Sequence, residues 1–348
     1  MPTERERSRC RERIERLGAS SLDRESVQRE TIAQLRISVG FDRWCWPLGD
    51  PETLLPLSGL AEHDYGPRLA RALELEFSGN DYGAKHLVAR RSSHAASMSA
   101  ETKGDLARSP RWDEVMRPVG IGDVATIACR DKHGCWGWIE AYRDSDDRRF
   151  NGDELALLAA AGRTIGSALR RGWMVGGNAE PLDMSTPGVL VLDRSLNVVS
   201  RTIVTTSYLD ALPAGAMFAA WGMLPAVVYP VAMMARSTGR AKDAHALERT
   251  IDGRWVAIEA AELEGGEQST AVTIRSATPA EVFAFLCRVY ALTRRERDVV
   301  SALISGLDTR AISDRLLISP HTVQDHLKSI FEKLGVRSRR ELVASFNR

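Results

Sequence analysis

No run in the 348-residue chain approaches the 18 or so uninterrupted apolar residues that a membrane-spanning helix needs, so no membrane partner is expected. The N-terminus, MPTERERSRCRERIERLG, is charged throughout and has no apolar stretch, which excludes a secretory leader and makes a cytoplasmic protein the expectation. Cysteine is scarce and odd in number. Cys10, Cys45, Cys129, Cys135 and Cys287 are scattered without a CxxC, which argues against a disulfide framework. Only Cys129 and Cys135 lie close enough to suggest a thiol switch, and small apolar filler is the better reading. The seven histidines, His63 and His133 among them, show no metal-ligand spacing. No GxxxxGK[ST] phosphate loop, GxSxG elbow or HExxH is present, so neither an enzyme nor a cofactor is expected. Lysine is nearly absent, at six residues against 41 arginines, a bias that a GC-rich genome explains more simply than function does.

What the chain does have is ordinary globular composition, 44% hydrophobic and 27% charged, with length enough for two or three domains. Its most informative stretch is Leu292 to Leu342, LTRRERDVVSALISGLDTRAISDRLLISPHTVQDHLKSIFEKLGVRSRREL. Thr293 with Glu296 forms a capping box, in which hydroxyl and carboxylate each satisfy a backbone N–H. Val299, Val300, Leu303 and Ile304 follow at helical spacing, and Gly306 stops the helix. Asp308 caps a second helix that turns Ala311, Ile312 and Leu316 inward. After a turn at Leu317–Ser319, Ser319 and Pro320 open a third helix with Val323, Leu327, Ile330, Phe331 and Leu334 on one stripe. Gly335 ends it. Ser338 with Glu341 predicts a second capping box and a fourth helix, with Leu342, Val343 and Phe346 inward.

Two helices joined by so tight a turn predict helix-turn-helix geometry, with His321, Gln324, Asp325 and Lys328 on the outer face of the third helix. The stretch resembles the LuxR-type (NarL-like) DNA-binding domain over its whole length. The likeness rests on the LTxRE opening, the GL before helix two, the ISPHTV-x-x-HL run and the closing KLGVRSRREL. The resemblance implies a DNA-binding transcription regulator whose recognition helix spans 320–334. Gln324, Asp325 and Lys328 would face bases, with Thr309, Arg310, Thr322, Arg337 and Arg339 near phosphates. The position of Gln324 is often Lys in this family. Gln pairs with adenine where Lys favours guanine, and Asp325 repels phosphate but can accept from a cytosine amine.

From Ala291 to Arg348 there are eleven basic and seven acidic residues, a net +4, so the preceding 290 residues carry −3. The basic surplus sits in the expected DNA reader but is small, and a homodimer would double its phosphate contacts.

Upstream, residues 1–22 alternate Arg and Glu and read as a charged, exposed helix or frayed tail. A helix is expected over Asp23 to Val39, then short strands in FDRWCWPL and LLPLSGL, then a helix opened by Pro67 that runs to Leu75. Ser78 to Asp105 is polar and reads as a long loop, and Leu106 to Met116 as a helix. DVATIACR (Asp123–Arg130) and CWGWIEAY (Cys135–Tyr142), joined by DKHG, predict an antiparallel hairpin. Asp153 caps a helix carrying Leu155, Leu157, Leu158, Ala161, Ile165 and Leu169. GCWGWIEAYRDSDDRRFNGDELALLAAAGRTIGSALRR resembles the closing strand and helix of a GAF domain. Residues 23–171 are thus expected to form an α/β GAF-like sensor, with Trp44, Trp46, Trp112, Trp136 and Trp138 as candidates for lining a small-molecule pocket or for plain core. Residues 172–183 read as a linker.

PGVLVLDRSLNVVSRT predicts two strands and is similar to the opening of a PAS domain. A helix follows Pro230, and three more strands lie in ALERTIDGRWVAIEAAELEGGEQSTAVTIR. Residues 184–278 are therefore read as an α/β PAS-like domain. Thr278 with Glu281 caps a connecting helix (279–290) into an all-α four-helix domain at 291–348. The acidic cluster and lysine of a phosphorylated receiver are missing, which favours control by a ligand or partner. Two other classes stay open: a docking module that does not grip DNA alone, and a ligand or redox sensor.

Overall fold

The computed structural model describes residues 4–20, 22–62, 65–79, 81–173, 186–238, 244–265 and 269–346. His63 and most of the expected linker lie outside the described residues. The chain divides into two compact units, Met1–Ser276 and Ala277–Arg348. The stretches expected as two sensor modules thus fall within one unit.

That unit opens with α1 (Glu4–Ala19) and α2 (Arg24–Val39), then β1 (Arg43–Gly49), β2 (Pro56–Ala61), α3 (Leu69–Phe77), α4 (Lys85–Arg90), β3 (Ala95–Ser97) and α5 (Met98–Glu101). The hairpin β4 (Ile121–Asp131) and β5 (Gly134–Asp144) and the long α6 (Gly152–Gly172) complete its first half. The second half holds β6 (Gly188–Leu192), β7 (Val198–Arg201), α7 (Thr205–Ala211), α8 (Gly215–Ala220), α9 (Val228–Thr238), β8 (His245–Arg249), β9 (Trp255–Glu262) and β10 (Thr270–Ser276). Each half has one five-stranded sheet, ordered β2-β1-β5-β4-β3 and β7-β6-β10-β9-β8. All neighbours are antiparallel, and both sheets follow one order, second-first-fifth-fourth-third.

The β4–β5 hairpin is the spine of the first sheet. It turns through Lys132 and His133, with Asp131 accepting from the His133 N–H at 2.8 Å. Helix α6 lies on β4 so closely that a Cβ at Gly162 would stand 2.8 Å from the Ala128 carbonyl oxygen, and one at Gly166 2.5 Å from that of Arg130. Glycine at both positions is what permits this approach.

Several expectations need correction. The charged N-terminal stretch is neither frayed nor merely solvated, since α1 packs on α6 and α2 and buries Cys10 and Ile14. Helix α6 is capped by Asn151, not Asp153. Asn151 Oδ1 accepts from the Glu154 N–H at 3.0 Å and Glu154 Oε2 accepts from the Asn151 N–H at 3.0 Å, while Asp153 pairs with Arg7. The expected loop Ser78–Asp105 contains α4, β3 and α5, and the expected helix Leu106–Met116 is a 3-10 turn followed by a π-helical turn. Polarity misleads in that loop because two of its charges, Asp81 and Lys85, face inward.

Lys85 Nζ lies 2.8 Å from Glu76 Oε2 and 2.9 Å from Glu140 Oε1, and Arg111 joins Glu76 at 3.0 Å and Asp81 at 2.7 Å. Tyr142 OH donates to Glu140 Oε2 at 2.9 Å and the Cys45 thiol lies 3.1 Å from the same oxygen. Burial alone would raise the Glu76 carboxyl, but the charges of Lys85 and Arg111 hold it at about 2.

The two sheets meet at their edge strands, β2 and β8. Buried Asp50, just past β1, accepts the Leu247 N–H of β8 at 3.1 Å, and buried Glu248 of β8 accepts the Ser58 N–H of β2 at 2.8 Å. Beside this clasp Trp173 stacks on Trp255 at 5.7 Å, with Arg24 over the first ring and Arg249 over the second.

Candidate nucleic-acid interface

The second unit holds α10 (Pro279–Val289), α11 (Arg294–Ile304), α12 (Thr309–Leu316), α13 (Pro320–Leu334) and α14 (Arg339–Phe346). Thr278 and Glu281 form the expected capping box of α10, and the rings of Phe283 and Tyr290 pack at a tilt against Phe346 of α14 at 5.4 and 5.8 Å. Thr293 and Glu296 cap α11 reciprocally, Asp308 caps α12 through the Ala311 N–H at 2.8 Å, and Ser319 caps α13 through the Thr322 N–H at 3.0 Å. Ser338 accepts the Glu341 N–H at 3.2 Å, but Glu341 returns to the Arg337 N–H, not that of Ser338.

Val299, Val300, Leu303, Ile312, Val323, Leu327, Ile330, Leu342 and Phe346 are buried, so α11 and α12 seat α13 by the stripe that its spacing predicts. The tight α12–α13 turn is made by Leu317, which takes a left-handed backbone (φ 53°) and leaves its side chain 91% exposed. Ser313 Oγ closes the turn on the Ile318 carbonyl at 2.5 Å.

A buried charge that the sequence pattern did not signal locks α11 to α13. Glu296 accepts from Lys333 Nζ at 2.6 Å and Ser329 Oγ at 2.7 Å, besides the Thr293 N–H at 2.6 Å. Burial alone would raise its pKa, but these bonds hold the carboxyl at about 2. Its folded pKa lies below the unfolded one. The stabilisation is therefore complete above the ordinary glutamate range and is lost as pH falls through about 2. Glu296→Ala is expected to destabilise this unit by about 1–3 kcal/mol, because it strands the Lys333 ammonium, the Ser329 hydroxyl and the Thr293 N–H. Circular dichroism of chemical denaturation at pH 7 checks this, and an unchanged midpoint would refute it.

Three of the residues expected to face DNA, Gln324, Lys328 and Arg337, line one groove of about 430 Å³ beside α13, floored by Leu327, Phe331 and Val336. Gln324 Nε2 donates to Thr309 Oγ1 at 3.4 Å, and Arg339 also donates to that oxygen, so Thr309, Gln324 and Arg339 form one network. Arg339 thereby braces α12. Thr322 Oγ1 lies 2.9 Å from Ser319 Oγ at the start of α13, Arg310 is exposed on α12, and Asp325 is paired with His321.

The five tryptophans do not share a chamber. Trp44, in register with Ala141, and Trp46 lie on the α6 face of the sheet. Trp136 is turned to that face by an irregularity in β5, donating to Asp131, which also holds Arg170 of α6 at 2.8 Å. Trp138 lies on the opposite face, donating to the Lys85 carbonyl at 2.9 Å, and Trp112 packs near Met98, Met116 and Tyr142. Cys129 and Cys135 are both buried, and burial pushes the Cys135 thiol up to about 12, a poor setting for a reactive thiolate.

The model of the family described as bacterial regulatory proteins, luxR family, matches residues 290–346. The spore germination protein GerE of Bacillus subtilis is 39% identical over 57 residues, which cover 16% of this chain and 77% of that protein. An HTH-type transcriptional regulator of Mycobacterium bovis is 50% identical over 52 residues, 15% of this chain, and the chain spans only 6% of that relative's length. Among solved structures, bacteriophytochrome RpBphP3 of R. palustris is 13% identical, with 79% of this chain and 65% of that one covered. The TM-score is 0.33, a likeness that carries no argument. Through residues 290–346 the chain belongs to the bacterial regulatory proteins of the luxR family.

Proposed function

We propose that this chain is a cytoplasmic transcription regulator that binds duplex DNA as a homodimer through α13 and responds to a signal received by its Met1–Ser276 unit. The observation that carries the reading is the convergence of Gln324, Lys328 and Arg337 on one groove beside a turn-linked helix pair. An α-helix fits the major groove, where amide and ammonium groups read base edges, and a guanidinium beside it finds phosphate. The family membership supports the same reading. The net +4 of the reader is modest for holding a duplex at physiological salt, which favours two heads on two half-sites.

The signal-receiving role rests on the paired architecture upstream, in which each half has a five-stranded antiparallel sheet flanked by helices, as GAF-like and PAS-like modules would. A signal acts by shifting population between masked and DNA-competent arrangements. The test is binding of the full chain to fragments of its own upstream DNA at two salt concentrations with excess competitor. Specific binding with a steep salt slope and a footprint of two half-sites is expected. Binding indifferent to salt and sequence would overturn the proposal in favour of a docking module.

A further inference from the structure

The outer face of α13 carries a group that duplex DNA should repel. Asp325 is 66% exposed there, and one turn ahead His321, 88% exposed, places Nδ1 3.0 Å from Asp325 Oδ2. Neither side chain has another partner among the described residues. With Nδ1–H donating to the carboxylate, the outward Nε2 is an acceptor in the neutral ring and a donor once protonated, and Oδ1 of Asp325 stays open as an acceptor.

The charged groups of the neighbouring helices make no bond to this pair. Helix α12 contributes Arg310, Asp314 and Arg315, α13 itself His326 and Lys328, and α14 Arg339, whose guanidinium is engaged by Thr309. From α11, Glu296 is held by Lys333 and Ser329. None of these groups bonds to His321 or Asp325. A lone carboxylate brought among phosphates is destabilised by like charge, and the same phosphate field stabilises an imidazolium. The two side chains together can therefore do what neither does alone.

We infer that His321 is a positioning residue for Asp325, and that the two read one base pair as a unit. His321 occupies Oδ2, so that Oδ1 alone is offered to the exocyclic amine of a cytosine in the major groove. Duplex binding takes up one proton from solvent at Nε2, which leaves the pair neutral beside the phosphates. The inference rests on the DNA-binding reading above and adds to it a base preference and a pH dependence.

The experiment is selection of duplexes from a random-sequence library by the full chain at pH 6 and at pH 8. Affinity of the selected duplex is then measured by fluorescence anisotropy across that range at constant salt. The wild-type chain should bind about three- to tenfold more tightly at pH 6 than at pH 8, as uptake of up to one proton by a histidine allows. His321→Gln should flatten the pH profile while keeping salt-dependent binding. Asp325→Asn should flatten it too and lose the preference for cytosine at one position. A His321→Gln profile as steep as wild type, or an unchanged cytosine preference in Asp325→Asn, would overturn the inference and leave DNA binding intact. Selection of no duplex at either pH would remove the DNA-binding reading and this inference with it.

Discussion

Lys85→Met should lower the unfolding free energy of the Met1–Ser276 unit by about 3–5 kcal/mol, the range for stranding a buried charge. The ammonium is fully enclosed and sits between Glu76 at 2.8 Å and Glu140 at 2.9 Å. Its removal leaves three carboxylates, Glu76, Asp81 and Glu140, facing Arg111 alone. Methionine fills the stem's volume, so the loss reports charge more than cavity. All eight tryptophans precede residue 277, so fluorescence-detected urea unfolding follows this unit and not the DNA reader. With Lys85 present, the depressed pKa of Glu76 adds stability that is whole above the ordinary carboxylate range and fades as pH falls through about 2. In Lys85→Met that acid dependence should weaken or reverse, because protonating a carboxylate would then relieve repulsion. Adding Glu140→Gln should recover part of the loss, since the two sites share one network. A loss below about 1 kcal/mol, the scale of exposed pairs, would mean that water reaches the cluster.

Lys328→Ala should weaken duplex binding by about 1–3 kcal/mol, and the loss should depend on sequence. Lys328 is exposed on α13 and lines the groove with Gln324 and Arg337, so the fold should be indifferent to its removal. Arg337→Ala makes the contrast. Taking away its guanidinium should reduce affinity about equally for all duplexes and lower the log–log salt slope by about 1. Equal sequence dependence in the two variants would show that their roles were wrongly divided.

The reader domain was legible because its information is local. Capping boxes act over three residues, the Ser319–Pro320 start is contiguous, and the apolar stripe of α13 repeats every turn. Even there the sequence was silent on Glu296 with Lys333, since a 37-residue separation leaves no periodic trace. The first unit was legible in its strands, where β4 and β5 extend only one to two residues beyond their expected ends. Helices α2, α3 and α6 were legible too, but the segments from Ser78 to Met116 were not. Lys85 and Asp81 look like loop polarity until Glu140 and Arg111 arrive from distant segments to neutralise them. Similarly, the alternation that would put Trp136 beside Trp138 is broken by a register shift, and no composition rule marks where a strand bulges. Asp153 was a reasonable cap on residue type, but Asn151 prevails because Glu154, three residues on, completes the reciprocal pair.

The carboxylate clasp between β2 and β8 limits how this protein can be divided. Asp50 and Glu248 each reach across to a backbone amide of the opposite half, and both are buried. A truncation after α6 would leave Asp50 without its Leu247 donor and expose the free edge of β2, an open template for strand pairing with another chain. A fragment beginning at β6 would expose β8 in the same way and bring Glu248, whose pKa burial now raises, into water. The two halves are therefore expected to express, purify and recombine into chimaeras only as a pair. A graft that keeps residues up to Ser276 together should stay folded and soluble, whereas one that splits them should yield aggregates.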